Sequence, residues 1–187
     1  MPSRDRVYRT EAIILRRQDF GEADRILTVL TPSYGKIRLL AKGIRKSASR
    51  KAGHLEPFTR VDLLIAHGRT FDLITQAESR WVFSSAGSDL VRFGCASYAA
   101  EALDRFAVEE MEAHQLYQLL KATLERLDED VDPGLILRYF ELELLNIAGF
   151  RPLLFQCAGC GGETQSVDQF FSAQEGGILC PTCGRNV

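Results

Sequence analysis

Two C-x2-C pairs, Cys157-Ala158-Gly159-Cys160 and Cys180-Pro181-Thr182-Cys183, are separated by the 19 residues from Gly161 to Leu179, and they constrain the fold more than anything else in the chain. Two residues between cysteines let both thiolates turn onto one ion, and the interval lies within the range of a zinc site. Four thiolates fill a tetrahedral shell and leave no position for water or substrate. The expectation is therefore one structural Zn2+ per chain, held by Cys157, Cys160, Cys180 and Cys183. The segment 157–183 is rich in Gly, Cys and small polar residues, with too little apolar material to fold unaided. A metal would contribute on the order of 10 kcal/mol to its folding. The alternatives are a redox dithiol and chance spacing. Gly161 and Gly184 each follow a knuckle, where a missing side chain is expected to let backbone N–H groups approach sulfur. Cys95 sits beside Phe93 and Ala96 and reads as a core thiol.

The start, MPSRDRVYRT, has no apolar stretch behind its charges, so it does not read as an export signal. Cysteines in such a context argue for metal or core use rather than disulfides. No apolar run approaches the roughly 18 residues of a membrane span. The expected location is the cytoplasm, with no membrane partner.

Upstream of the knuckles the hydrophobic period changes once. Short runs with period-two alternation predict strands at Val7–Arg16, Arg25–Leu30, Lys36–Ala41, Phe58–Ala66 and Phe71–Phe83, with turns at Asp19–Gly21, Pro32–Gly35, Gly43–Gly53 and His67–Gly68. Five short strands suggest a small barrel. In Lys36–Ala41 the alternation sets Ile37, Leu39 and Ala41 on one face and Lys36, Arg38 and Leu40 on the other. After Gly87 the period becomes helical. Leu90, Phe93, Ser97, Ala100, Leu103 and Phe106 form one stripe, and Leu116, Leu119, Leu120, Thr123, Leu124 and Leu127 a second. A third helix opens at Asp132-Pro133, carries Leu135, Tyr139, Leu142 and Leu145, and stops at Gly149.

The net charge of −2 conceals a division. Residues 1–80 hold 16 of the 23 Lys and Arg and 9 of the 25 Asp and Glu, a net of +7, and the remainder of the chain carries −9. Five of those cations, Lys42, Arg45, Lys46, Arg50 and Lys51, share a loop with two glycines and no acid. That loop, following a strand with Lys36 and Arg38 and joined by Arg16, Arg17 and Arg25, suits phosphate tracking along a nucleic acid backbone. The alternative is a solvated loop. Phe20, Tyr34 and Phe58 lie near these cations and are candidates for base stacking or for the core.

Enzyme signatures are missing. His54, His67 and His114 have no metal-ligand spacing, and no Walker, G-x-S-x-G or H-E-x-x-H pattern occurs. His54-Leu55-Glu56 matches half of a zinc-deaminase signature, but Gln156 and Leu179 stand where its proline would precede the knuckles. A metal-dependent nuclease would need an open coordination position and a nearby base, and the sequence offers neither.

The run Gly21-Glu22-Ala23-Asp24-Arg25-Ile26-Leu27-Thr28-Val29-Leu30-Thr31, then Gly35-Lys36, Ala41-Lys42-Gly43 and Leu55-Glu56-Pro57-Phe58, resembles the N-terminal signature of the bacterial RecO family of recombination mediators. The resemblance implies an α+β multidomain chain with an N-terminal OB-fold β-barrel at 1–82. An α-helical domain at 83–187 would follow, carrying a four-cysteine zinc module at 157–183. It implies a non-enzymatic, nucleoid-associated protein that binds single- and double-stranded DNA and anneals complementary strands. Such a protein assists RecA loading, together with RecR, on strands coated by single-stranded-DNA-binding protein. The expected DNA contacts are Arg17, Arg25, Lys36, Arg38, Lys42, Arg45, Lys46, Arg50 and Lys51. Family members usually continue with further helices where this sequence stops at Val187, so the expectation is a truncated sequence or an unusually short member. Part of the surface that receives the tail of single-stranded-DNA-binding protein would lie in those helices. The rival class is a zinc-ribbon RNA-binding or transcription factor.

Overall fold

The structure, a computed structural model, describes residues 6–46, 52–109, 111–129 and 132–185. It groups into two compact units, 1–140 and 141–187.

The first unit opens with five strands, β1 (Val7–Phe20), β2 (Asp24–Thr31), β3 (Gly35–Ala41), β4 (Arg60–Ala66) and β5 (Asp72–Trp81), closed into a barrel of order β1-β2-β3-β5-β4. All neighbours are antiparallel except β3 and β5, which are parallel and meet only at Leu39–Asp72 and Leu40–Leu73. This is the five-stranded OB arrangement. Alternation builds its interior. In β4, Val61, Leu63 and Ile65 are buried while the residues between them are partly exposed, and the same period sends Leu27, Val29, Leu39 and Ala41 into one core with Ala12 and Ile14.

The expected strands are all present with shifted ends. β1 runs on to Phe20 to form a hairpin with β2, paired down to Phe20–Asp24. β4 begins at Arg60 rather than Phe58, because Phe58 has φ +65°, which no strand residue adopts. Its ring is buried against Phe83 and Phe93, at centroid distances of 6.1 and 5.5 Å, so of the three candidate stacking aromatics this one belongs to the core.

Helix α1 (Leu90–Phe106) starts at Asp89, whose side chain accepts from the N–H groups of Val91 and Arg92. Its buried residues are Ala96, Ala99, Ala100 and Leu103, and Leu90 and Phe106, at the ends of the expected stripe, are exposed. Helix α2 (His114–Leu127) buries Leu119, Leu120, Thr123, Leu124 and Leu127 as expected, together with Tyr117. The segment between the helices lies against the β2–β3 turn. The Ala113 N–H donates to the Pro32 carbonyl at 3.1 Å, and a Cβ at Gly35 would fall 1.8 Å from the Met111 carbonyl oxygen. Thr28, Leu30 and Leu40, which point outward from the barrel, are nevertheless buried.

Helix α3 (Pro133–Ile147) runs across the boundary between the units. Its expected stripe is displaced: Leu135, Tyr139 and Leu142 are 64%, 47% and 43% exposed, whereas Ile136, Phe140 and Leu144 are buried. The sequence from Leu135 to Ile147 is apolar on more than one side, so its period does not select the inner face. The helix stops at Gly149, in the left-handed region at φ +81°, with the Phe150 N–H closing onto the Leu145 carbonyl.

The second unit continues with a short hairpin, β6 (Phe170–Ser172) and β7 (Gly177–Leu179), and a single helical turn, α4 (Pro181–Gly184). Among the described residues no helix is long and apolar enough to cross a membrane.

Candidate metal centre and nucleic-acid interface

In the second unit both knuckles are held by backbone hydrogen bonds. The Gly161 N–H closes the first onto the Cys157 carbonyl at 2.8 Å, and the Gly184 N–H closes the second onto the Cys180 carbonyl at 2.9 Å. They are locked together where the Ala158 N–H donates to the Ile178 carbonyl at 2.7 Å and the Cys180 N–H donates to the Cys157 sulfur at 3.2 Å. β7 thus delivers Cys180 directly beside Cys157.

The four Sγ atoms of Cys157, Cys160, Cys180 and Cys183 lie within 4.8 Å of one another, with Cys160 and Cys180 at 4.0 Å. A Zn–S bond of about 2.3 Å makes the edge of a tetrahedral S4 site about 3.8 Å, so the cluster fits a zinc ion. Without a balancing cation the four sulfurs do not ionise alike. N–H groups of Cys180 and then Cys160 aimed at the Cys157 sulfur bring that thiol down to about 6, while hydrogen bonds with Cys180, Cys157 and Cys160 push Cys183 up to about 12. Four sulfurs this close cannot all be thiolates unless a cation balances them.

The two glycines after the knuckles serve other ends than approach to sulfur. Gly161 has open space around it but φ +74°, so the backbone conformation calls for glycine there. At Gly184 a Cβ would fall 2.3 Å from the Phe170 ring, so the requirement is packing of α4 on β6. Gly159, inside the first knuckle, packs against the second, its Cβ position lying 3.2 Å from the Cys183 Cβ. Cys95 is half-buried in α1, and burial pushes its thiol up.

In the barrel, the expected cations fall into two groups. Arg17 and Arg25 on the β1–β2 hairpin and Arg45 in the loop after β3 converge on two carboxylates. Arg17 pairs with Glu56, Arg25 Nε is 2.9 Å from Asp19 and its Nη1 3.7 Å from Glu56, and Arg45 is 3.4 Å from Asp19. The loop is pinned there by the Arg45 N–H donating to the Ala23 carbonyl and the Gly43 N–H donating to Asp24. The hydrogen bond from Arg25, with Arg45 and Arg17 close by, holds the Asp19 carboxyl below its usual value. Lys42 and Lys46, in the same loop, are exposed and enter no ion pair among the described residues. Arg50 and Lys51 lie outside the described residues.

Lys36 and Arg38 stand apart from that cluster. Both are on the outer face of β3, as alternation requires, but this face meets acids that follow it in the helical segment. Lys36 Nζ is 3.2 Å from Asp104 and Arg38 is 3.7 Å from Glu109, and Arg16 also reaches Asp104, at 3.1 Å.

Arg38 borders a cleft of about 800 Å3 that the sequence did not reveal, flanked by Tyr8, Tyr34, His67, Phe71 and Asp72. Tyr8 is hidden within the alternation of β1, and His67 is singled out in the sequence only as a histidine without metal spacing. Tyr34 and Phe20 are 42% and 46% exposed.

Comparison with known proteins adds to this geometry. The family model described as "Recombination protein O N terminal" matches residues 5–83, and "Recombination protein O C terminal" matches residues 87–187. The chain is 47% identical over 180 residues to the DNA repair protein RecO of Roseiflexus sp. (strain RS-1), covering 96% of this chain and 63% of that protein. It is 40% identical over 176 residues to the RecO of a Dehalococcoides mccartyi strain, covering 94% of this chain and 70% of that protein. To the RecO of a Nocardioides species it is 40% identical over 181 residues, covering 95% and 74%. The chain thus spans less than two thirds of the length of the Roseiflexus relative and somewhat more of the others.

Proposed function

The chain belongs to the RecO family of DNA repair proteins, and on that premise we propose that it is a non-enzymatic recombination mediator. In this reading it binds single- and double-stranded DNA, anneals complementary strands and, together with RecR, assists RecA loading on strands coated by single-stranded-DNA-binding protein. The observation that carries the DNA-binding part is the convergence of Arg17, Arg25 and Arg45 on one end of an OB-type barrel, beside exposed Lys42 and Lys46. Asp19 and Glu56 keep these guanidinium groups gathered and oriented. Phosphate oxygens of an incoming strand exchange for the two carboxylates, so the site is organised before DNA arrives. Arg38, Arg50 and Lys51 extend the proposed contact set, whereas Lys36, 14% exposed in its side chain and paired with Asp104, could join it only by leaving that pair.

Annealing requires that repulsion between two polyanions be screened while base edges stay free to pair. A backbone-tracking cationic surface without sequence readout meets that requirement. Zinc, when bound by Cys157, Cys160, Cys180 and Cys183, would supply a cross-link that holds the two knuckles of the second unit together. With its shell filled by four thiolates it gives no support to a nuclease reading.

The experiment is annealing of complementary labelled strands with and without single-stranded-DNA-binding protein, alongside affinity for matched DNA and RNA. Acceleration in both settings is the expected result. No acceleration with DNA but tight RNA binding would transfer the chain to the RNA-binding class.

A further inference from the structure

We propose that the cleft between the start of β1, the β2–β3 turn and the β4–β5 loop is a stacking subsite for the unpaired bases of single-stranded DNA. This rests on the DNA-binding reading above and specifies which part of the strand the cleft takes.

Three flat rings stand in a row along it. The Tyr34 ring lies 4.9 Å from that of Tyr8, and the Tyr8 ring 5.0 Å from that of His67. The polar ends of two of them are fixed by one carboxylate: the Tyr8 hydroxyl donates to Asp72 Oδ2 at 3.0 Å, His67 Nδ1 lies 3.1 Å from the same oxygen, and the Gly68 N–H donates to Asp72 Oδ1 at 3.0 Å. Tyr8 and His67 therefore keep their orientation without a ligand, and the Tyr34 ring packs on that of Tyr8. Ring packing inside a core leaves no space, yet these rings border about 800 Å3 of open cleft, in the range of small-molecule sites, and Tyr34 keeps nearly half of its surface exposed.

The surroundings select the occupant. Arg38, 52% exposed in its side chain, lines the cleft together with Lys36, and Glu109, 3.7 Å from Arg38, stands on the same wall. Cations around aromatic rings suit a strand whose bases stack while its phosphates are neutralised, and an apolar peptide would have no use for them. The cleft also leads to the guanidinium cluster. Phe71, on its wall, lies 6.3 Å from the exposed ring of Phe20, which ends β1 one residue after Asp19. A strand can thus pass from stacking rings to the Arg17, Arg25 and Arg45 group. A duplex hides its base faces, so the subsite takes single strands, and it tolerates any sequence because every base has a π-face.

The test compares the full chain with its Tyr34→Ala and Tyr34→Phe variants, on a thymidine oligonucleotide and on an abasic strand with the same number of phosphates. The Tyr34 backbone N–H, not its ring, holds the turn to Thr31, so the variants keep that bond. Tyr34→Ala should weaken thymidine-strand binding about ten-fold, leave abasic-strand binding and the salt slope unchanged, and Tyr34→Phe should bind as wild type. Irradiating a bound 5-iodouracil strand should cross-link the peptide that carries Tyr34. Wild-type affinity of Tyr34→Ala for the thymidine strand, or equal wild-type affinity for the two strands with a normal salt slope, overturns the subsite and spares the DNA-binding reading. Failure of the wild type to bind either strand overturns both.

Discussion

Lys36 and Asp104, 68 residues apart, form an ion pair in which the ammonium lies 3.2 Å from Oδ1 and also donates to the Asp104 backbone carbonyl. The Lys36 side chain is 14% exposed, so the pair is largely withdrawn from water and ties β3 to α1. Arg38, two residues on, is 52% exposed in its side chain, and its contact with Glu109 is 3.7 Å long. Lys36→Ala should therefore lower the free energy of unfolding by about 1–2 kcal/mol. Arg38→Ala should change it by no more than about 0.5 kcal/mol. Urea denaturation of the two variants checks this; equal losses would mean that the Lys36 pair contributes nothing beyond an ordinary surface contact.

Phosphate contacts release counterions, so binding to single strands should weaken with salt at about 0.7 in slope per contact. About five contacts give a slope near −3.5 for log K against log salt concentration. Replacing Arg17 or Arg45 by Gln should reduce the magnitude by about 0.7, and replacing Arg45, Lys46, Arg50 and Lys51 together should weaken binding to different sequences alike. A flat salt response in the wild type would remove the cationic surface from consideration.

The features legible in the sequence are those set by local period or spacing. Alternation disclosed the barrel strands because each has one inner face, and the C-x2-C pairs disclosed the sulfur cluster because the spacing is itself the chemistry. What depends on distant packing was not legible. Phe58 reads as a strand residue until the rings of Phe83 and Phe93 fix it at positive φ. Helix α3 offers two apolar stripes, and only burial selects Ile136, Phe140 and Leu144. Tyr8, Tyr34 and His67 come from three separate segments, so their row exists only once the barrel has closed.

Asp128 follows α2 and accepts four hydrogen bonds, from the backbone N–H and hydroxyl of both Ser84 and Ser85, at 2.9 to 3.1 Å. Burial pushes its carboxyl up, but these bonds outweigh burial and leave it below its usual value. A carboxyl lowered in the folded state contributes stability that is full above the unfolded value near 3.9 and is lost as pH falls through the folded value. Asp128→Asn, which keeps one accepting oxygen, should cost about 1–2 kcal/mol at neutral pH. It should also remove part of the stability decline below about pH 4. Parallel wild-type and variant curves through that range would count against the assignment.

Removal of the metal separates the two sources of order in the chain. One zinc per chain is expected by elemental analysis. Chelation should abolish amide-exchange protection in residues 157–183, because without the ion their sulfurs repel once deprotonated and little apolar surface remains to hold them. The barrel, built on its own core from Ala12 to Ile74, should keep its protection. Freshly purified protein without metal and with oxidised thiols would reverse the structural-zinc reading.

The two post-knuckle glycines should respond differently to alanine. At Gly184 the new methyl meets the Phe170 ring at 2.3 Å, so α4 and the neighbouring Cys183 must move, and zinc affinity should fall about ten-fold or more. Trimming the obstacle in Gly184→Ala/Phe170→Ala should restore most of the affinity. At Gly161 the methyl meets nothing, and the cost is confined to holding alanine at φ +74°, about 1 kcal/mol. Trimming Phe170 should give Gly161→Ala no relief. Competition with a chromophoric chelator measures each affinity, and rescue of both variants by Phe170→Ala, or of neither, would show that packing on the hairpin does not position the second knuckle.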